Sequence, residues 1–102
     1  MSLPIEQVLQ TVVARGASDL HLVVTQPPVI RLRGQLYRLG TEVLERDDVC
    51  VLVERIVPDH CRQELRERGK TAFGLAFDQK SRFHVTVFKQ REHPSVVFHL
   101  ER

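Results

Sequence analysis

The chain has 102 residues, 42% of them hydrophobic and 27% charged, with a formal net charge of +2. That length suits one small domain rather than two, and the balance of apolar to charged residues excludes a disordered tail. The weak, dispersed charge argues against nucleic acid as a partner. No apolar run approaches the roughly 18 residues of a membrane-spanning helix, and the N-terminus reads without a signal peptide.

Leu3 to Arg15 reads as a helix, with Ile5, Val8, Leu9, Val12 and Val13 on one face at i, i+3, i+4 spacing. Ser2 suits its cap, Pro4 its first turn and Gly16 its exit. An alternating pattern starts at Asp19. Leu20, Leu22 and Val24 point one way, and Asp19, His21 and Val23 the other. Pro27 and Pro28 interrupt it. A short strand follows from Val29 to Leu32, and Arg33-Gly34 turns it into a third, Gln35 to Leu39. After the loop at Gly40-Thr41-Glu42, Val49, Leu52, Val53 and Ile56 recur at helical spacing from about Arg46 to Val57. Asp47 and Asp48 stand in its first turn, where the helix dipole favours them. Pro58 ends that helix. Asp59 is expected to cap a shorter, very polar one from Cys61 to Arg68, with Leu65 as its inward anchor and Gly69 as its stop.

The remainder is strand-like. Phe73, Leu75 and Phe77 alternate over Ala72 to Phe77, and Asp78-Gln79-Lys80 forms a turn. Arg82 to Lys89 then alternates strongly, with Phe83, Val85 and Val87 on one face and Arg82, His84, Thr86 and Phe88 on the other. His93-Pro94 breaks the pattern before a last strand, Val96 to Leu100. Short turns between strands and helices grouped together imply an α+β fold: an antiparallel sheet of about five to six strands with helices packed mainly on one face. Residues 1–102 form a single domain in this reading, and its end on a strand suggests a domain cut from something longer. Cys50 and Cys61 read as free thiols of a reducing compartment.

The chain has no phosphate-binding loop, no dinucleotide fingerprint, no nucleophile elbow and no zinc-protease signature, so no catalytic residue is assigned. Asp19 and His21 share a face, either as a polar pair at a site or as an Asp that caps a turn and a structural His that hydrogen-bonds to a neighbouring loop. Arg31 and Arg33 share a face at i, i+2; with Arg38 they make the hairpin basic, as an anion contact or as an ordinary solvent face. Arg82, His84, Lys89, Gln90, Arg91, His93 and His99 make the C-terminal hairpin basic and histidine-rich. Arginine there offers a planar fork of donors to a phosphate; the plainer reading is a solvated sheet face. His84 and His99 are candidate cross-strand neighbours, but without a third ligand no metal site is assigned.

Ala17-Ser18-Asp19-Leu20-His21-Leu22, Pro27-Pro28-Val29-Ile30-Arg31-Leu32-Arg33-Gly34-Gln35-Leu36, Phe73-Gly74, Ser81 to Arg91 and Val96 to Leu100 together resemble the N-terminal domain of PilT-type twitching-motility ATPases, within the type II/type IV secretion ATPase superfamily. The resemblance covers essentially the whole chain. It implies a PAS-like domain of a hexameric motor whose RecA-like ATPase domain carries the Walker motifs, and with them ATP and Mg; that domain is absent here, so this chain alone is not expected to be an enzyme. The implied partners are the ATPase domains of its own and adjacent subunits and the pilus inner-membrane platform protein, at a cytoplasmic site peripheral to the inner membrane, with no nucleic acid. The implied role is regulation and assembly in type IV pilus retraction; a free-standing PAS-like interaction or ligand-sensing module is the alternative. By the resemblance Arg82, His84 and His99 lie near the nucleotide, and Asp19, His21, Arg31 and Arg33 belong to a subunit-interface or structural motif. The family pattern has arginines where this chain has His84 and His99, and an acidic residue where it has Ala72. Histidine is not a permanent bidentate cation, so weaker sensing of nucleotide is expected.

Overall fold

The computed structural model describes residues 4–89 and 93–101. Ser2 and Leu3, expected at a helix start, and Gln90 and Arg91, expected in a basic hairpin, lie outside the described residues. The elements run α1 (Ile5–Arg15), β1 (Asp19–Val23), β2 (Val29–Leu32), β3 (Gln35–Arg38), α2 (Arg46–Ile56), α3 (Asp59–Arg68), β4 (Lys70–Ala76), β5 (Arg82–Lys89) and β6 (Pro94–Glu101).

Helix ends follow local chemistry. Gly16 takes the left-handed conformation at φ 69, and the N–H groups of Gly16 and Ala17 close on the Val13 and Val12 carbonyls at 3.1 and 3.0 Å. At the start of α2 the Glu45 N–H donates to Asp48 Oδ2 at 2.9 Å. The far end of α2 is closed by a side chain: Arg62 of α3 donates to the Glu54 carbonyl at 2.9 Å and to the Val57 carbonyl at 3.4 Å. Helix α3 starts at Asp59 rather than Cys61. Pro58 takes the cap position in an extended conformation, so Asp59 is the first helical residue and not the cap. Cys61 is the buried residue of that helix, while Leu65 is half-buried. Strands β4 and β6 begin two residues earlier than the alternation alone suggests. Lys70 pairs with Phe88 and Lys89 with Pro94, and the first position of a strand tolerates proline.

All six strands form one antiparallel sheet in the order β3-β2-β1-β6-β5-β4. Two three-stranded meanders are thus joined through β1 and β6. The helices cover one face, α1 against β1, α2 against β6, and α3 against β4 and β5. Leu20, Leu22, Ile30, Phe83, Val85, Val87, Val96 and Phe98 of the sheet are fully buried there, together with Val12 and Val49 of the helices. Phe77, Phe83 and Phe98 meet edge to face at centroid distances of 5.9 and 6.0 Å. Cys50 and Cys61 are free thiols, half-buried and buried respectively. None of the described helices is long and apolar enough to cross a membrane.

Candidate functional site: the polar face of the sheet

Alternation along each strand sends one set of residues, almost all apolar, under the helices and the other, mostly polar set to the opposite face. Register then lines those others up. One row crosses the whole sheet: Leu36, Arg31, Asp19, His99, His84 and Gly74, each directly opposite the next. One step along, Arg82 faces Glu101 on β6 and Ala76 on β4. On the other side of the row, His21 faces Val29 and Val97.

Asp19 is the hub. The Ser18 hydroxyl donates to its Oδ2 at 2.7 Å, His99 Nδ1 lies 2.8 Å from its Oδ1, and Arg31 Nε lies 3.7 Å from Oδ2. Its side chain is 19% exposed. Burial raises the carboxyl pKa, but the hydrogen bonds from Ser18 and His99 and the charges of His99 and His21 outweigh it, so the pKa falls below the ordinary 3.8. Asp19 therefore joins β1, β2 and β6 through one carboxylate, rather than capping a turn.

The second cluster is looser and wetter. Glu101 stands between Arg82 and His84, with its two oxygens 3.9 Å from Arg82 Nε and 3.9 Å from His84 Nδ1. The Arg82 side chain is 62% exposed. Arg82 and His84 therefore present donors to solvent, held only lightly by their own carboxylate.

The structure brings Asp19, Arg31, His84, His99 and Arg82 onto one face, with His84 and His99 as direct cross-strand neighbours. His21 shares that face, and its Nε2 is buried with no hydrogen-bond partner among the described residues; a bond to a neighbouring loop through that nitrogen is not found. Arg33 departs from the expected pairing with Arg31. Strand β2 ends at Leu32 and Arg33 enters the turn at φ 53, so strand alternation no longer sets its direction. Glu101 and Ser18 are the members that the residue-by-residue reading missed. Glu101 follows His99 at i, i+2, which marks its face, but only the β5–β6 register places it opposite Arg82. Among the described residues no three His, Cys, Asp or Glu side chains are grouped to hold a metal ion. An open apolar groove of about 620 Å³ lies among α1, the end of α2 and the end of β4, lined by Leu9, Val13, Ile56, Leu75 and Phe77. None of the polar row lines it.

No protein-family model matches the chain. In sequence it is 36% identical over 84 residues to the type IV pilus retraction ATPase PilT of Pseudomonas aeruginosa, covering 82% of this chain and 24% of that protein. In structure it is similar to the pilus retraction motor PilT with bound ADP, with a TM-score of 0.86 and 27% identity, over 96% of this chain and 29% of that one. The Legionella pneumophila ATPase DotB superposes with a TM-score of 0.81 at 14% identity, over 96% of this chain and 28% of its own, a likeness of fold alone. The chain thus spans between 24% and 29% of the length of these relatives. In sequence and in fold, it corresponds to the N-terminal domain of PilT-type secretion ATPases.

Proposed function

We propose that this domain is a regulatory and assembly module of a type IV pilus retraction motor. In this reading it packs against the ATPase domain of the neighbouring subunit in a hexamer and helps to close the nucleotide site from outside. The observation that carries the reading is the open sheet face, where Arg82, His84 and His99 stand together, with Arg82 well exposed. Likeness to a retraction motor solved with bound ADP supports it. ATP and Mg would be held by the ATPase domain of the longer parent, since this chain has no phosphate-binding loop. The domain's own contribution is a planar fork of donors from Arg82 at a phosphate edge, beside His84 and His99, whose imidazoles lack the bidentate fork of an arginine. A cytoplasmic position at the inner-membrane platform protein completes the proposal.

The test uses the full-length protein that carries this domain. Arg82→Ala is expected to weaken ATP use, seen as a rise in KM or a fall in kcat of about tenfold, the size of one charge-assisted hydrogen bond. His84→Arg is expected to move the same parameters the other way. Unchanged kinetics in both variants would remove this face from the nucleotide site. A parent product ending near Arg102 with no ATPase domain would replace the motor reading with a free-standing interaction module.

A further inference from the structure

Gly74 sits in the middle of β4, opposite His84, where nothing about the backbone calls for glycine. Its φ is not among the positive values of the chain. Glycine in a strand interior lacks a side chain to pack and loses more freedom on folding than other residues, so its presence there commonly marks a close approach by another group. The approaching group is Arg82. A Cβ placed on Gly74 would fall 2.5 Å from Arg82 Nη2 and 3.1 Å from both Cζ and Nε. The guanidinium therefore lies over β4 in the space that any other residue would fill. On its other side Glu101 Oε2 faces Nε at 3.9 Å. The arginine is thus steered between a bare stretch of backbone and a carboxylate, beside His84, while its side chain stays 62% exposed.

We infer that Gly74 is a positioning residue for Arg82: by lacking a Cβ it gives the guanidinium a slot across β4, so that its fork is presented beside His84 to a phosphate-class oxyanion. A long side chain free on the surface samples many rotamers, and ordering it opposes any hydrogen bond it makes on binding. A slot that removes part of that freedom beforehand strengthens each contact made later. The phosphate end of this inference rests on the proposed role of the sheet face at the nucleotide; the positioning itself does not.

The experiment is a double-mutant cycle in the full-length protein, with Gly74→Ala, Arg82→Ala and both together, read by ADP titration and thermal melting. A second arm follows the Arg82 Nε–Hε resonance of the 102-residue domain, or the Arg82 side chain in a crystal structure of Gly74→Ala. Gly74→Ala is expected to melt no lower than the parent sequence and to move the Arg82 resonance. It is also expected to weaken ADP binding about tenfold, the size of one charge-assisted hydrogen bond, with no further loss when Arg82→Ala is added. If Arg82→Ala weakens ADP and Gly74→Ala does not, the positioning role falls and the nucleotide reading stands. If neither variant changes ADP binding, the nucleotide reading falls, and the Arg82 resonance decides the slot: movement upholds it and no movement overturns it. Should Gly74→Ala unfold, adding Arg82→Ala must restore the fold; failure to do so would show that the glycine serves the strand and not the arginine.

Discussion

Asp19 illustrates how much one carboxylate holds at this face. It accepts from the Ser18 hydroxyl, meets the His99 ring and neighbours Arg31, so it links three strands at a point where its side chain is mostly covered. Replacing it with asparagine keeps the size and removes the charge that these donors converge on. Asp19→Asn is expected to cost about 1.5–3 kcal/mol at neutral pH, the range for hydrogen bonds to a charged group, as measured by urea denaturation. The pH dependence has a definite sign. The folded pKa lies below the ordinary 3.8, so in acid the unfolded chain takes up the proton first. The stabilisation is fully present above the ordinary value and is lost as pH falls through the folded value. The gap between the parent sequence and Asp19→Asn should therefore narrow in acid; a gap that stays constant from neutral pH into strong acid would show that the charge is not what stabilises.

At the scale of the element, the β2–β3 hairpin is the least supported part of the sheet, because every residue of β3 is exposed. Its turn has φ 53 at Arg33 and φ 80 at Gly34, the pair of positive values that matches the right-handed twist of the flanking strands. Glycine adopts this without strain, whereas arginine pays a left-handed penalty that asparagine largely avoids. Arg33→Asn is expected to stabilise the protein by about 0.5 kcal/mol through the turn, with slower hydrogen exchange at the β3 amides. Slower exchange would place the effect in the hairpin. An unchanged or faster rate would mean that Arg33 makes a contact worth more than the strain.

For the whole molecule, the join between β1 and β6 matters most. It ties the N-terminal and C-terminal meanders into one sheet and sets Leu20 opposite Phe98, whose ring meets Phe83 edge to face. The radius of gyration, 13.0 Å, equals the roughly 13 Å of a compact domain of about 100 residues, so the open polar face does not come from loose packing. Phe98 is fully buried, and Phe98→Ala is expected to cost about 3–5 kcal/mol. That is a large share of the roughly 5–15 kcal/mol that holds a domain of this kind together. Denaturant midpoints should show it clearly, while Arg82→Ala and His84→Arg on the open face should stay within about 0.5 kcal/mol of the parent sequence. A large loss from either surface variant would mean that this face is structural rather than reserved for a partner.

Much of this architecture was readable from the chain itself. Periods of two and 3.6 separate strands from helices, because burial on one side of an element imposes that spacing. Gly16 and Gly69 mark ends because the left-handed backbone there favours glycine, and Pro58 because proline does not continue a helix. Alternation also places Arg82 with His84, and Asp19 with His21, on common faces. What alternation leaves open is which strand lies beside which, and in what register. Asp19 and His99 are 80 residues apart in the chain, and their meeting depends on β1 pairing with β6. The same holds for Glu101 opposite Arg82 and for the space over Gly74, since a strand's own pattern says which way a side chain points but not what stands opposite. Arg33 shows the converse, a residue that continues the alternation in sequence and leaves it in space, because the turn's left-handed backbone takes it off the strand. Local physics determined the elements and their faces; long-range pairing alone decided which charges share a site.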